Sequence, residues 1–483
     1  MTVNQAPAAN DTSAETPAAA LPRLSRAIRP SAKAPVRIVH LGLGAFHRSH
    51  QAWYTQHAGD TANWGIAAFT GRRPDAAQAL AEQDGLYTVV ERADTGDAFE
   101  IVSSIVEAVD GADTGRLAGL VAAAETAIVT LTITEASYGL TVDGRVDHTA
   151  PEVEADLAQL NSGSAGKPTT PVGRLVLALA ARKAADAGPL AVVCCDNLSN
   201  NGTVARNAVV GLAAAWDAGL AEWIEANISF VSTSVDRITP RTTAADVAAV
   251  EEACGYADNS PVVAEPFRNW VLSGSFPAGR PRWEDAGAVF VDDIEPFENR
   301  KLWLLNGAHS LLAYAGQLRG HATLAEALAD PLCLAAVEHF WNEAEANLPG
   351  PAARGADLQI PAYRAQLLAR FRNSRIAHHL AQIAMDGSTK LRMRAVPVIR
   401  AERAAGRPGS AAALMIAAWM DFIAFGTVHD PLASDIAAAN QLNGTDRIRA
   451  LLDLVDAGLA GDTGVVDLIG GLTGAFGEPA ERG

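Results

Sequence analysis

The sequence predicts an α/β protein with two domains: an N-terminal domain built on a parallel sheet, and a second, mainly α-helical C-terminal domain. Short runs of β-branched and small apolar residues stand out at 36–41, 65–69, 127–133, 190–195 and 228–234. Ala-rich stretches with helical periodicity lie between several of them, and buried strands that alternate with helices are typical of a parallel sheet. After about residue 293 the chain is rich in Leu and Ala and shows helical periodicity without a clear strand run.

The domain boundaries follow from length and composition. A chain of 483 residues is longer than one hydrophobic core usually organises, so a division into domains is expected. Residues 1–24 are rich in Ala, Pro, Thr and Asn, which predicts a disordered tail. We place the sheet domain at 25–293, with its first strand near Val36, and the helical domain at 294–483.

Composition narrows the classes of partner. Apolar residues make up 49% of the chain and charged residues 19%, which is typical of a globular protein. Asp and Glu number 55 against 38 Lys and Arg, and the net charge is −17. Nucleic acid and anionic membranes are not expected as partners, because this charge would repel their phosphates. A small molecule remains as the expected partner, and the oligomeric state stays open.

The cysteines and the apolar runs predict a cytoplasmic protein. Residues 1–21 contain neither the basic segment nor the apolar segment of a secretory signal. The four cysteines include an adjacent pair and have no metal-ligand spacing, so neither a disulfide framework nor a metal site is predicted. The longest apolar run, 411–420, is half as long as a membrane span and predicts a buried helix.

A glycine-rich turn follows the first predicted strand. Residues 36–50 read VRIVHLGLGAFHRSH, so the strand leads through Gly42 and Gly44 into a predicted helix. The first glycine permits a tight turn, and the second lets the backbone approach a pyrophosphate. His47 stands where the third glycine of the dinucleotide fingerprint belongs. The turn predicts a dinucleotide site with Gly42, Gly44 and Phe46, although a plain strand–turn–helix would show the same partial pattern.

The end of the second predicted strand bears on which dinucleotide binds. In NAD-binding proteins an acidic residue here usually holds the ribose 2′-hydroxyl. The strand instead leads into Arg72 and Arg73, and the first acidic residue is Asp75. The two arginines can accept a 2′-phosphate, which favours NADP, but they also suit a solvated loop. Both NAD and NADP therefore remain candidate cofactors.

An unusual group of polar residues occurs where the helical region begins, in the sequence EPFENRKLWLLNGAHS at 295–310. At about 100° per residue, four of its side chains fall within an arc of about 140° on one helix face. They are Glu298, Lys301, Asn306 and His309. Burying such groups on an otherwise apolar helix is costly. A solvated polar face would explain one of them more easily than all four.

These four side chains can carry out alcohol oxidation. A buried lysine has a lowered pKa, so Lys301 can take a hydroxyl proton near neutral pH. Asn306 can donate a hydrogen bond to the oxygen on which charge develops. His309 can orient a substrate hydroxyl, and Glu298, one turn before Lys301, can pass the proton to solvent.

Further polar residues follow predicted strands at their carboxyl ends, where ligands bind in open α/β sheets. Asn197 lies in the sequence CCDNLSNNG after the fourth run and can form an oxyanion clamp with Asn306. An ordinary Asn/Gly-rich turn would give the same pattern. Glu135, in TITE, and Asp236, in VDR, follow the third and fifth runs in the same way.

Together these motifs resemble the long-chain mannitol dehydrogenase family of polyol-specific NAD(P)-dependent oxidoreductases, which includes mannitol 2-dehydrogenase and fructuronate reductase. The matching motifs are GLGAFHRSH at 42–50, TITE at 132–135, CDN at 195–197, VDRITP at 235–240, KLWLLNGAH at 301–309 and DGSTK at 386–390. The resemblance implies a Rossmann-type N-terminal domain that binds NAD or NADP. It also implies that the substrate lies between this domain and the helical domain.

The resemblance implies a role for each matching residue. Lys301 would be the general base, and Asn197 and Asn306 would hold the oxyanion. His309 would position the substrate, and Asp236 would contact it. Members of the family need no zinc, so no metal is expected. The implied reaction interconverts D-mannitol and D-fructose, with fructuronate reduction to mannonate as the alternative.

One departure from the family pattern leaves the substrate open. Some mannitol dehydrogenases carry an arginine eight residues before the lysine of the DGxxK motif, where this sequence has Gln382. Lys390 can contact a sugar hydroxyl or a uronate carboxylate, or it can lie on a loop surface.

Two other functions belong to different classes. A dehydrogenase of phosphorylated hydroxy acids would need clustered arginines, for which Arg370, Arg372 and Arg375 are candidates. A dinucleotide-binding protein without catalysis would not need the lysine–asparagine–histidine set.

Overall fold

We analysed a computed structural model of the chain. The structure describes residues 21–162, 166–348, 358–376, 378–425 and 428–477. The predicted tail at 1–24 lies outside these residues, apart from its last four positions.

The strands form two sheets. They are β1 Val36–Leu41, β2 Gly65–Phe69, β3 Tyr87–Ala93, β4 Gly96–Val102, β5 Ile105–Val109, β6 Ile128–Leu131, β7 Leu190–Cys194, β8 Ile228–Asp236, β9 Val262–Ala264, β10 Asn269–Ser273 and β11 Val289–Phe290. The larger sheet has the order β11-β10-β8-β7-β6-β1-β2-β5, and the smaller sheet has the order β4-β3-β9. In the larger sheet every pairing is parallel except that of β8 with β10.

The parallel part of the larger sheet is a Rossmann fold. Its six strands β5-β2-β1-β6-β7-β8 have the order 3-2-1-4-5-6 when they are numbered along the chain. The chain order reverses between β1 and β6, which opens a ligand crevice at their carboxyl ends. The five predicted runs are β1, β2, β6, β7 and β8, and the predicted α/β class is confirmed. The partly exposed strands β3 and β4 lack a continuous apolar pattern, and the sequence analysis missed them.

Helices cover both faces of the larger sheet. They are α1 Ala45–Ser49, α2 Gln51–His57, α3 Asp75–Ala81, α4 Thr114–Val121, α5 Pro151–Asn161, α6 Pro171–Ala184, α7 Asn201–Trp216 and α8 Ala218–Asn227. Helix α9 Ala244–Cys254 packs against the smaller sheet. Helices α4 to α8 bury apolar residues against one face of the sheet. On the other face, α2 and α3 pack together with Trp270 and Trp283. Short 3₁₀ helices lie at Thr61–Asn63, Glu135–Tyr138 and Trp283–Ala286.

The chain after β11 is helical. It contains α10 Glu295–Arg300, a π-helical segment Lys301–Gly307, α11 Ala308–Leu318, α12 Leu324–Ala329, α13 Pro331–Asn347, α14 Ile360–Phe371, α15 Leu380–Ile383, α16 Gly387–Arg394, α17 Val396–Ala404, α18 Ser410–Phe425, α19 Ala433–Ala439, α20 Gly444–Val455, α21 Ala457–Ala460 and α22 Thr463–Leu472. All of α11 except Gln317 is buried, so this helix is the centre of the helical core.

The apolar run at 411–420 lies in α18, which packs against α11 in the helical core. This confirms the prediction of a buried helix. Among the described residues no helix is long and apolar enough to cross a membrane.

The segment before β1 differs from the prediction of a disordered tail up to residue 24. Arg23 forms a parallel bridge with Ala257, and the Leu24 N–H donates to the Ala257 carbonyl at 2.8 Å. Leu24 is fully buried, and the Arg26 guanidinium donates to the Ser103 carbonyl at 2.8 Å. Composition could not predict this, because the partners that hold the segment lie far along the chain.

Replacing Leu24 with Ala should lower the free energy of unfolding by about 2–4 kcal/mol, because a buried side chain is lost and a cavity remains. Leu21 is 44% exposed, so Leu21→Ala is the matched control and should cost less than about 0.5 kcal/mol. Urea unfolding followed by circular dichroism measures both values. Equal stability of the two variants would show that the segment at 21–24 adds nothing to the fold.

Candidate active site

A small cleft lies where the carboxyl ends of β7 and β8 meet the first helical residues of the C-terminal part. Its volume is about 60 Å³, and its lining includes Asn197, Glu298, Lys301 and Asn306. Asn197 follows β7 and is 104 positions from Lys301 along the chain. The structure therefore brings four of the predicted catalytic residues to one cleft.

Lys301 and Asn306 lie on the π-helical segment Lys301–Gly307, between α10 and α11. The sequence at 295–310 predicts one regular α-helix. The structure corrects this prediction, because a π-helical segment separates two α-helices. In an α-helix, residues five apart point about 140° away from each other. In a π-helix the backbone bonds join residues five apart, so these residues lie one turn apart on the same side. The π segment therefore turns Lys301 and Asn306 toward the same cleft.

The Lys301 amine is held by two acceptors from the sheet. Nζ donates to Asn197 Oδ1 at 2.5 Å and to the carbonyl of Val235, in β8, at 2.7 Å. These two bonds occupy both hydrogens of a neutral amine. Its lone pair is then free to face the cleft, which is the direction from which a hydroxyl proton would come.

The surroundings of Lys301 favour the neutral amine. Burial is the largest effect and lowers the pKa of Lys301. The carboxylates of Asp236 and Glu298 act in the opposite direction, and the guanidinium groups of Arg370 and Arg394 lower the pKa further. A lysine whose pKa is lowered in this way can act as a general base closer to neutral pH.

Glu298 gives the cleft a second titratable group. Its Oε1 accepts a hydrogen bond from the Asn200 backbone N–H at 2.9 Å. Burial raises the pKa of Glu298, while the Asn200 bond and the charge of Lys301 lower it, and the net shift is upward. A half-buried carboxyl with a raised pKa is suited to exchange a proton between the amine and solvent.

The two asparagine amides flank the Lys301 amine. The bond from Lys301 uses the oxygen of Asn197, which leaves the Asn197 N–H groups as donors. The side chain of Asn306 also lines the cleft. Its backbone carbonyl accepts from Arg394 Nη1 at 3.0 Å, so a half-buried arginine holds the π segment at this point. Two amide donors beside an amine can stabilise an oxygen on which negative charge develops.

His309, on α11, is buried beside Phe371 and His378, with ring centroids 4.9 and 5.0 Å away. Its Nε2 has no hydrogen-bond partner among the described residues. Burial lowers the pKa of His309 well below its usual value, and nearby cations lower it further. A neutral histidine with an unpaired nitrogen is suited to bind a substrate hydroxyl.

Asp236, predicted as a substrate contact, lies at the end of β8 in a buried ion pair. Arg370, on α14, donates to its two oxygens at 2.6 and 2.8 Å and approaches Glu265 at 2.8 Å. The sequence analysis did not predict this pairing, because the three residues lie in distant segments. It also removes Arg370 from the proposed phosphate-binding cluster, and Arg375 is paired with Asp97 at 2.7 Å. The phosphorylated-substrate alternative has therefore lost two of its three arginines.

The other predicted substrate-binding residues have different surroundings. Lys390, on α16, is half-buried and donates to the Ile383 carbonyl at 3.1 Å. Burial lowers the pKa of Lys390, and so does Arg394, another of the cations close to His309. Glu135 is exposed after β6, and no hydrogen bond links its side chain to the other described site residues.

The glycine turn at the end of β1 is shaped by two different constraints. The N–H of Gly42 donates to the Phe69 carbonyl at 3.0 Å, and its φ is +110°. A Cβ at Gly42 would lie 2.2 Å from the Thr132 carbonyl oxygen. At Gly44 the backbone is extended, and a Cβ would come no closer to the protein than 3.6 Å. The protein therefore leaves open space at Gly44, which is where the pyrophosphate of a dinucleotide would approach.

The residues around the turn complete a site that fits a dinucleotide. Phe46 is half-buried in α1 and stacks on His50. His47, at the position of the missing third glycine, stacks on His40 with ring centroids 3.3 Å apart. Parallel ring stacking thus packs α1 against β1 closely without a glycine.

Arg72 and Arg73 are exposed in the loop after β2, next to the glycine turn. Arg73 lies 3.5 Å from Asp75, whereas Arg72 has no ion-pair partner among the described residues. Both positions are compatible with a 2′-phosphate and with a solvated loop.

Sequence comparison identifies the family. The model described as "Mannitol dehydrogenase Rossmann domain" matches residues 36–285, and "Mannitol dehydrogenase C-terminal domain" matches residues 293–470. The chain belongs to the mannitol dehydrogenase family. This confirms the resemblance inferred from the motifs.

Several relatives in the mannitol dehydrogenase family cover most of the chain. D-mannonate oxidoreductase of Escherichia coli (strain K12) is 37% identical over 92% of this chain and 94% of its own length. Mannitol 2-dehydrogenase of Cereibacter sphaeroides is also 37% identical, over 81% of each chain.

Two solved structures have the same overall fold. The mannitol 2-dehydrogenase of Pseudomonas fluorescens, solved as a ternary complex with NAD and D-mannitol, has a TM-score of 0.74. It is 34% identical, and the match covers 94% of both chains. A D-sorbitol dehydrogenase in substrate-free form has a TM-score of 0.78 and is 28% identical, over 92% of this chain and all of the other.

Gly44→Ala should weaken binding of the dinucleotide at least about tenfold without lowering the melting temperature, because its Cβ fills space that only the ligand needs. Gly42→Ala is the contrasting variant. Its Cβ would meet the Thr132 carbonyl in a left-handed conformation, so it should lower the melting temperature as well. Fluorescence titration with the reduced nucleotide and thermal unfolding measure the two effects. Wild-type affinity in Gly44→Ala would show that the ligand does not approach this position.

Proposed function

We propose that this protein is an NAD(P)-dependent secondary-alcohol dehydrogenase that interconverts a polyol and a 2-ketose, D-mannitol and D-fructose, with Lys301 as the general base and no metal. The supporting observation is a half-buried amine, held between Asn197 and the Val235 carbonyl, in a cleft at the carboxyl ends of β7 and β8. The mannitol 2-dehydrogenases among its relatives support the choice of substrate.

The proposed proton path begins at the cleft. A substrate hydroxyl gives its proton to the lone pair of Lys301 while its carbon gives up a hydride. NAD or NADP, when bound at the glycine turn, supplies the hydride acceptor. The N–H groups of Asn197 and Asn306 donate to the oxygen as it becomes a carbonyl. Glu298 takes the proton from Lys301 and releases it to solvent.

The rest of the substrate would bind on the side of the helical domain. The unpaired Nε2 of His309 binds a hydroxyl next to the reacting carbon, and Lys390 binds one further along the chain. Asp236 can accept a hydroxyl hydrogen bond with the lone pairs that Arg370 leaves free. These contacts would hold the reacting carbon in a fixed position, which is a large part of what the protein supplies to such a reaction.

A sugar acid is a second candidate substrate, in a reaction that interconverts D-fructuronate and D-mannonate. Lys390 and Arg394 support it, because both are buried or half-buried and neither forms an ion pair with a described residue. Two such cations near His309 suit a carboxylate better than they suit a neutral hydroxyl. The relative named D-mannonate oxidoreductase supports the same alternative.

Both nucleotides fit the proposed site. The relative solved with NAD supports NAD, and Arg72 and Arg73 support NADP. We also propose a cytoplasmic location. All four cysteines are free thiols, which suits a reducing compartment.

Lys301→Ala should lower kcat by about 10²–10⁴-fold, the usual contribution of a general base, and should leave nucleotide affinity unchanged. Lys167→Ala is the control, because Lys167 is an exposed lysine outside the cleft. Initial rates are read from the absorbance of the reduced nicotinamide. A catalytically inactive dinucleotide-binding protein would show no turnover in the wild type either. Full activity of Lys301→Ala would refute the proposed base.

A panel of mannitol, sorbitol, arabinitol, fructose, fructuronate and mannonate, each with NAD and NADP, distinguishes the two substrates. We expect turnover of mannitol and fructose, with KM raised a few-fold in Lys390→Gln because one hydrogen bond is lost. Turnover of fructuronate without turnover of mannitol would make the sugar acid the substrate. In that case Lys390→Gln should raise KM about tenfold or more, because a buried ion pair is lost.

A further inference from the structure

Three charged side chains, those of Asp236, Arg370 and Glu265, form a buried chain next to the Lys301 cleft. Arg370 contacts both Asp236 and Glu265, and the side chains of Arg370 and Glu265 are each 3% exposed. Glu265 comes directly after β9 and also accepts from the Ile238 backbone N–H at 2.5 Å. Arg370 Nε has no hydrogen-bond partner among the described residues. A buried arginine that leaves a donor unpaired is not explained by hydrogen bonding alone.

This charge chain reaches Lys301 through Asp236. The Lys301 amine donates to the carbonyl of Val235, the residue next to Asp236. Asp236 also has the largest charge effect on the pKa of Lys301, so the two side chains lie close together. Neither Arg370 nor Glu265 lines the Lys301 cleft. Both line a separate cavity of about 530 Å³. They can therefore influence the amine only through the electrostatic field, not by touching the substrate there.

We propose that Arg370 and Glu265 are positioning residues that set, through Asp236, the net charge beside the Lys301 amine. The inference rests on the proposed function of Lys301 as the base. Asp236 alone would stabilise the ammonium form, and Arg370 compensates that charge. Glu265 in turn compensates part of the charge of Arg370. With both carboxylates ionised, the chain carries one net negative charge.

The other titratable and charged groups facing Lys301 come from several elements. They are Glu298 on α10, Arg394 on α16, and His50 between α1 and α2. Burial lowers the pKa of His50 to about 3, so it is neutral near pH 7. Glu298 and Arg394 have opposite charges. They act on Lys301 in opposite directions and are left unchanged in the variants below.

Further groups face the carboxylates. Around Asp236 they are His50, Tyr54, Arg300, Tyr363 and His378, and around Glu265 they include Arg237. Burial raises the pKa of both tyrosines and lowers that of both histidines, so all four are neutral near pH 7. Burial and Asp236 raise the pKa of Glu265 to about 7, with Arg370 opposing them. Glu265 is therefore ionised above about pH 7, which is the range in which its replacement should act on Lys301.

Two single variants should shift the same titration in opposite directions. Arg370→Gln removes one positive charge beside Asp236, whether or not Glu265 is ionised. This loss stabilises the ammonium and should move the rise of kcat for alcohol oxidation about one pH unit to higher pH. Glu265→Gln leaves no net charge and should move the rise to lower pH, by a smaller amount because Glu265 lies further from Lys301. The double variant carries one negative charge, as the wild type does, and its profile should return to the wild-type position.

A second measurement follows Lys301 without turnover. Competitive labelling with acetic anhydride, read by mass spectrometry of the peptide that contains Lys301, gives the pKa of the amine in the protein without substrate. The order should be Glu265→Gln lowest, wild type and double variant equal, and Arg370→Gln highest. Arg370→Lys keeps the charge and should keep the profile, even where the loss of bidentate geometry lowers stability.

A purely structural ion pair gives a different result. Stability would fall in every variant while the pH profile and the labelling pKa stayed at the wild-type values, and this outcome would overturn the proposal. Shifts of all variants in one direction would overturn it too. If Arg370→Gln fails to fold, the acid shift of Glu265→Gln decides the question alone. Full activity of Lys301→Ala would instead refute the proposed function, so the two failures are distinguishable.

Discussion

The site depends on a half-buried lysine amine at the boundary between the sheet and the helices. Removing such an amine from water is costly unless it is hydrogen-bonded. Asn197 and Val235 supply the acceptors, and both stand at carboxyl ends of neighbouring strands in the parallel sheet. The strand order of the sheet is therefore what makes a base on a helix possible. The same two bonds fix the helix against the sheet.

The π-helical segment is the second feature on which the site depends. It brings Lys301 and Asn306 one turn apart on the same side, whereas a regular α-helix would set them at the two ends of the 140° arc. Two of its backbone carbonyls accept hydrogen bonds from side chains that lie on other helices. Trp341 donates to the Leu304 carbonyl at 2.7 Å, and Arg394 donates to that of Asn306. The residues that stabilise this local irregularity thus belong to the site as much as the residues that line the cleft.

Local patterns in the sequence were enough to predict the central strands, the glycine turn and the grouping of Lys301, Asn306 and Asn197 in one place. Each depends on a short stretch of chain: a buried strand is a continuous apolar run, and a tight turn needs glycine. The π segment and the Asp236–Arg370–Glu265 chain could not be predicted. The ion-pair chain depends on contacts between α14 and strand ends more than a hundred residues away. The π segment is held by the side chains of Trp341 and Arg394, which come from later helices. The order of the segment at Leu24 was missed for the same reason.

Several unpaired buried polar atoms lie around His309 in the helical domain. Among the described residues, His309 Nε2, His378 Nδ1, Arg394 Nε and the Tyr314 hydroxyl lack hydrogen-bond partners. Each such atom costs about 1–3 kcal/mol when it stays unpaired. The charges of Arg370 and Arg394 act on the pKa of His309, and the His378 ring lies 5.0 Å from it, so these groups surround one place. Under the proposed function, a polyhydroxylated substrate supplies donors and acceptors of the kind these atoms lack. The stability given up in the free protein would then be recovered as binding energy.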